Sequence, residues 1–224
     1  MALVAQLALV GCVSSGGGGR TLEVGDEKSF DGLLKVTNSR ASAVWVYPDF
    51  DLSGYTRIRL TEPGIELRPV RNRRSSSRSL GEGQPMSETA QKRLVTILRE
   101  AFERELARST LFELTDEVGP EVLTVWGGLI DVVSFVPPQR MGRDDVFLRR
   151  IGEATLVLEL RDSESNATLV RIMDRRAAER RGAVVPSNPV SNASETRRLA
   201  NTWARLFRQR LDELPTLSHG TDSE

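Results

Sequence analysis

"ATLVLELRDSESNATLVRIMD", residues 154–174, alternates apolar and polar side chains on both sides of a turn-forming tetrapeptide. Leu156, Leu158 and Leu160 fall on one face, and Thr155, Glu159 and Arg161 on the other. A period of two is that of a half-buried strand, and "SESN" supplies the turn that returns "ATLVRIMD" as the second arm of a hairpin. Asp174, Arg175 and Arg176 then end the strand and open a charged segment, "DRRAAERR".

Outward from this hairpin the chain reads as further strands and two helices. "VLTVWGGLIDVVSFV" (122–136) is apolar on both sides and stops at Pro137-Pro138. It reads as a central strand, with Gly127-Gly128 as a bulge or a close backbone approach. "YTRIRLT" (55–61) is a short alternating strand halted by Pro63-Gly64, and "IELRPV" (65–70) resumes it. Ser87 caps a helix whose Leu94, Ile97, Leu98, Ala101, Phe102 and Leu106 form one apolar face, with Glu100 and Arg104 a surface pair. Asn192 and Glu195 have capping-box spacing before a second helix presenting Leu199, Trp203, Leu206, Phe207, Leu211 and Leu214, which Pro215 ends. The expected fold is α+β: a mainly antiparallel sheet covered on one face by two helices.

Charge is dense but balanced, 31 basic against 31 acidic residues, so no global field draws the chain to nucleic acid. "RPVRNRRSSSR" (68–78) gathers five arginines without the interleaved aromatics of a single-strand platform, and nucleic acid is not an expected partner. One cysteine and one histidine leave no disulfide and no Cys/His metal spacing. His219 lies in the polar tail "SHGTDSE", out of place for a Ser-His-Asp or Cys-His arrangement. No catalytic residue, metal or cofactor is therefore assigned.

The cysteine, Cys12, follows an apolar run from Leu3 to Val10 that is too short to span a bilayer, which takes about 20 residues. Such a run matches the apolar region of a secretory signal. The ending Leu9-Val10-Gly11-Cys12 resembles a bacterial lipobox, which implies cleavage before Cys12 and acylation of its thiol. That resemblance also implies, with Val13 rather than aspartate next, the periplasmic face of the outer membrane. "SSGGGGR" (14–20) has the composition of a flexible tether. No positive charge precedes Arg20, a departure from ordinary signals that a start codon placed too late would explain.

A second resemblance covers residues 28–214. "FDGL" (30–33), "NSR" (38–40), Trp45, the Pro48-Asp49, Asp51, Leu52-Ser53 and Tyr55 pattern, "GEATLVLELRDS" (152–163) and "DRRAAE" (174–179) resemble bacterial lipoproteins of domain-of-unknown-function family 3313. The resemblance implies one domain and an envelope address, with no mechanism. The expected organisation is a signal peptide over 1–11, a lipidated N-terminus and tether over 12–27, one α+β domain over 28–214 and a polar tail over 215–224.

Four residues are candidate ligand or partner contacts. Straight alternation places Asp131 on the face of Leu123, Val125, Leu129, Val133 and Phe135, where a buried carboxylate finds an arginine or keeps its proton. A register change at the glycines would instead leave it solvated or in an ion pair. Asp174, Arg175 and Arg176 form either an anion grip or a solvated strand edge. Two functions follow: a non-enzymatic envelope module, anchored in the membrane by its lipid, that binds an envelope protein or cell-wall component; or a carboxylate-dependent glycan or cell-wall hydrolase using Asp131 with Glu159 or Asp174.

Overall fold

The computed structural model describes residues 23–69, 83–137, 146–180, 182 and 186–213. Its first strands are β1 (Val24–Lys28), β2 (Leu34–Val36), β3 (Ala43–Val46), β4 (Arg57–Leu60) and β5 (Gly64–Leu67). Helix α1 (Glu88–Leu106) leads to β6 (Glu113–Leu114), β7 (Val122–Ser134), β8 (Arg150–Asp162), β9 (Thr168–Glu179) and α2 (Pro189–Glu213). The strands make one sheet ordered β1-β2-β3-β9-β8-β7-β4-β6, with β5 also on β7. This is the expected α+β fold.

The hairpin forms as its alternation requires. Leu156 pairs with Asp174, Leu158 with Ile172 and Leu160 with Val170. Asn166 takes a left-handed φ of 58° in the turn, and Asp162 accepts from the backbone N–H of Ser165 at 2.7 Å. Asparagine tolerates that conformation better than most residues. The charged segment does not open at Asp174: β9 continues to Glu179, paired along its length with β8. Alternation persists there, so Asp174 and Ala178 are buried while Arg175 is exposed.

β4 and β5 are one interrupted strand, lying in sequence beside β7 and parallel to it. A parallel neighbour needs a crossover, which α1 supplies between β5 and β7. Gly127 and Gly128 are sites of close backbone approach. A Cβ at Gly127 would lie 2.1 Å from the Val157 carbonyl oxygen, and one at Gly128 2.1 Å from that of Gly64. No other residue fits between these strands.

Both helices pack on one face of the sheet, where Leu123, Val125, Leu129, Leu156, Leu158 and Leu160 meet Leu98, Phe102, Trp203 and Phe207. The helices join through their second halves. Phe102 and Phe207 stand 5.6 Å apart, an aromatic contact worth about 1 kcal/mol beyond its buried area. Arg104 donates to Asn201 at 2.6 Å, and Ser109 to Asp212 at 2.6 Å. Arg104 is thus spent on α2 rather than on Glu100; the i,i+4 surface pairs on α1 include Arg99 with Glu103 and Lys92 with Glu88.

Ser87 caps α1, accepting from Ala90 N–H. α2 begins four residues earlier than the capping-box spacing suggests. Pro189 opens it, and the Asn188 side chain accepts from the N–H groups of Val190 and Ser191. Asn192 and Glu195 lie inside the helix, Asn192 accepting from Arg180 and Glu195 paired with Arg198. Leu206 is 36% exposed and off the packed face, and Leu214 lies outside the described residues. At the other end, β1 starts at Val24, so the folded part reaches into the stretch expected to be tether.

The Pro48-to-Tyr55 pattern closes the loop between β3 and β4. Phe50 and Leu52 are buried, and the Tyr55 hydroxyl donates to Asp162 at 3.0 Å. Burial, with the Asp162 carboxylate beside it, pushes the Tyr55 hydroxyl up to about 12.

Candidate functional site

The four candidate contacts lie on opposite faces of the sheet. Asp131 itself is the bulge in β7, with a left-handed φ of 55°, and the β7–β8 register shifts between Ile130 and Val133. The extra residue turns Asp131 away from the helices and returns Val132 to the core. The register change foreseen at the glycines therefore occurs three residues later.

On this outer face Asp131 accepts a fork of two bonds from Arg68, on the segment after β5. Arg175 donates to Asp131 at 3.2 Å and to Glu153 at 2.6 Å, and Arg68 reaches Glu153 at 3.1 Å. Two carboxylates and two guanidiniums thus close one network across β7, β8 and β9. The Arg68 guanidinium holds the Asp131 carboxyl below its ordinary range. Such a carboxylate is no proton donor at neutral pH.

Farther along the same face, Trp126, Glu159, Arg171 and Trp45 are successive neighbours across β7, β8, β9 and β3. Glu159 is buried beneath Arg161 and Arg171, bonded to the latter at 2.7 Å. Arg161 stacks 4.4 Å above the Trp126 ring, and Arg171 5.4 Å from that of Phe30. Arg171 also pairs with Asp31, whose carboxyl that guanidinium lowers to about 2. The aromatic rings remain open to solvent, Phe30 at 95% and Trp126 at 47%.

Asp174 and Arg176 point the other way, toward the helices. Asp174 accepts from Trp203 Nε1 at 2.9 Å and from Arg176 Nε at 2.5 Å. The anion grip expected of Asp174, Arg175 and Arg176 is therefore divided: each arginine already has its carboxylate.

The pairs named for a hydrolase are not assembled. Asp131 and Asp174 occupy opposite faces. Glu159 stands six residues along β8 from Glu153, Asp131's neighbour, a separation of about 20 Å at strand rise. Glycosidase carboxylates stand about 5 to 9.5 Å apart. Among the described residues no cluster of His, Cys, Asp and Glu is arranged to hold a metal ion.

Sequence reading did not foresee a cavity of about 430 Å³ between the first halves of α1 and α2 and the adjoining end of the sheet. Leu94 and Ile97 from α1, Ala193 and Trp203 from α2, and Val132 and Ile151 from the sheet line it. The space lies between two helices that each carry an ordinary apolar stripe, and apolar periodicity alone does not report it. Arg68 and Glu153 were likewise unassigned, although Arg68 and Asp131 fall on segments that pair side by side.

Cys12, with Leu9, Val10 and Gly11, lies outside the described residues, as do Arg71, Arg73, Arg74, Arg78 and His219. No described helix is long and apolar enough to cross a membrane.

Among solved structures, the chain is similar to protein XCC0632 from Xanthomonas campestris, at 10% identity and TM-score 0.41, covering 78% of this chain and 91% of the other. It is also similar to the PelC dodecamer from Paraburkholderia phytofirmans, at 8% identity and TM-score 0.35, covering 72% and 96%. A minor lipoprotein from Acinetobacter baumannii matches at 8% identity and TM-score 0.35, covering 70% and 93%. These likenesses are loose and say nothing of what this chain binds. No curated protein matches the chain. The family model described as "Protein of unknown function (DUF3313)" matches residues 25–207, nearly the whole described domain, and the chain belongs to that family.

Proposed function

We propose that this chain is a non-enzymatic binding module of the bacterial envelope, held at the periplasmic face of the outer membrane by acyl groups on Cys12. The apolar leader, the Leu9-to-Cys12 pattern and the Gly/Ser tract support the anchor. The observation that carries the binding reading is the sheet face opposite the helices. It presents exposed Trp126 and Phe30 among arginines already paired with carboxylates. Aromatic rings flanked by neutralised charges suit recognition of an envelope protein or a cell-wall component, because the rings bury large areas while the paired arginines remain donors.

A photoreactive amino acid placed at Trp126 in the anchored protein tests this in intact cells, against the same probe at Glu100 on the exposed surface of α1. A discrete adduct from position 126, absent at position 100, is the expected outcome. Equal adducts from both positions, or none at position 126, contradict a role for this face.

A further inference from the structure

We propose that the cavity between α1 and α2 binds a single-chain anionic amphiphile, with its acyl tail inside and its head on Arg93. The site lies on the opposite side of the sheet from Trp126 and uses neither that face nor the lipid anchor, so the two proposals can fail separately.

The volume, about 430 Å³, falls within the range of about 300 to 1,000 Å³ typical of small-molecule sites and suits one chain better than a two-chain lipid. The wall is made of Met86, Leu94, Ile97, Val132, Ile151 and Leu199, which offer a tail dispersion contacts and no competing hydrogen bonds. The polar groups deeper in the wall are occupied. Ser134 Oγ accepts from Val136 N–H, Thr196 donates to the Asn192 carbonyl, and Asn192 accepts from Arg180 and Ser187. Glu153 touches the wall, but its carboxylate faces the far side among Arg68 and Arg175.

Charge is left at the rim. Arg93 lines the cavity from the exposed side of α1 and makes no ion pair among the described residues. Thr89, one turn earlier, lines the same rim with its hydroxyl unengaged there. The nearby acid, Glu88, is paired with Lys92. An apolar chamber with a guanidinium at its edge that is unpaired among the described residues matches a molecule that is apolar along its length and anionic at one end. Arginine receives such a carboxylate or phosphate through two parallel N–H bonds.

The test uses the full-length chain carrying Cys12→Ala, so that no anchor lipid and no detergent compete. The probe is cis-parinaric acid, a polyene fatty acid that fluoresces in apolar surroundings, displaced by palmitate or by hexadecanol. Saturable one-to-one binding is expected, tightening up to about fourfold per methylene across shorter saturated acids until the chamber is full. Ala90→Trp, which projects a large ring from the exposed rim, should abolish binding while its urea midpoint stays near that of the parent. Arg93→Gln should weaken palmitate about fivefold and leave hexadecanol unchanged. Absence of saturable binding to the folded chain, or undiminished binding to Ala90→Trp, overturns the site. Equal loss of palmitate and hexadecanol in Arg93→Gln overturns the assignment of the head.

Discussion

Trp203 on α2 donates its indole N–H to Asp174 on β9 at 2.9 Å, within the layer that joins helix to sheet. Both residues are buried, and Arg176 supplies the countercharge. Removing the carboxylate by Asp174→Ala would leave a buried indole N–H without an acceptor and an arginine without its partner. A loss of about 3 kcal/mol in urea unfolding is expected. Trp203→Phe removes the donor and leaves the ion pair, so a smaller loss of about 2 kcal/mol is expected.

The bulge at Asp131 gives an ordered series. Asp131→Asn and Asp131→Gly tolerate a φ of 55° and lose only the pairing with Arg68 and Arg175, a half-exposed network worth about 1 kcal/mol. Asp131→Val adds a β-branched side chain in the left-handed region, costing about 1 to 3 kcal/mol more. Thermal midpoints should therefore rank Asn and Gly above Val. A valine variant as stable as the asparagine one would show that the bulge relaxes.

Gly127 and Gly128 predict a larger effect. Either alanine variant drives a methyl group into a neighbouring carbonyl oxygen at 2.1 Å. Separation of β7 from β8 or from β5 is the only relief, and a loss of about 3 kcal/mol or more is expected by denaturant titration.

Tyr55 sets an alkaline limit. Its folded pKa, about 12, lies above the ordinary 10.0, so its stabilisation is fully present below pH 10 and is lost as pH rises through 12. The chain has two tyrosines, so phenolate absorbance can be assigned. Tyr55→Phe should delete the phenolate step near pH 12 and flatten the fall in stability between pH 10 and 12.

The layers and most elements of this fold were legible because each depends on local periodicity. The hairpin over 154–174, the Ser87 cap and the apolar faces of both helices follow from side-chain spacing alone. Arg175 and Arg176 hid the last residues of β9, because adjacent arginines look like a loop in sequence, and the Arg175 partners, Asp131 on β7 and Glu153 on β8, are distant along the chain. Asp131 was misplaced by straight alternation for a related reason: a bulge is set by the register of the neighbouring strand. The cavity was invisible because it arises from the relative placement of two helices, each of which has an ordinary apolar stripe. The cap of α2 is Asn188 rather than Asn192, whose side chain accepts instead from Arg180, a partner just past the end of β9 that helix-cap spacing does not show.

The proposed envelope address rests on Cys12, and the most direct measurement is mass spectrometry of the mature N-terminal peptide from membranes. The account predicts a chain beginning at Cys12, its sulfur in thioether linkage to an acylated glycerol. A chain that begins upstream, with that thiol free, would contradict it.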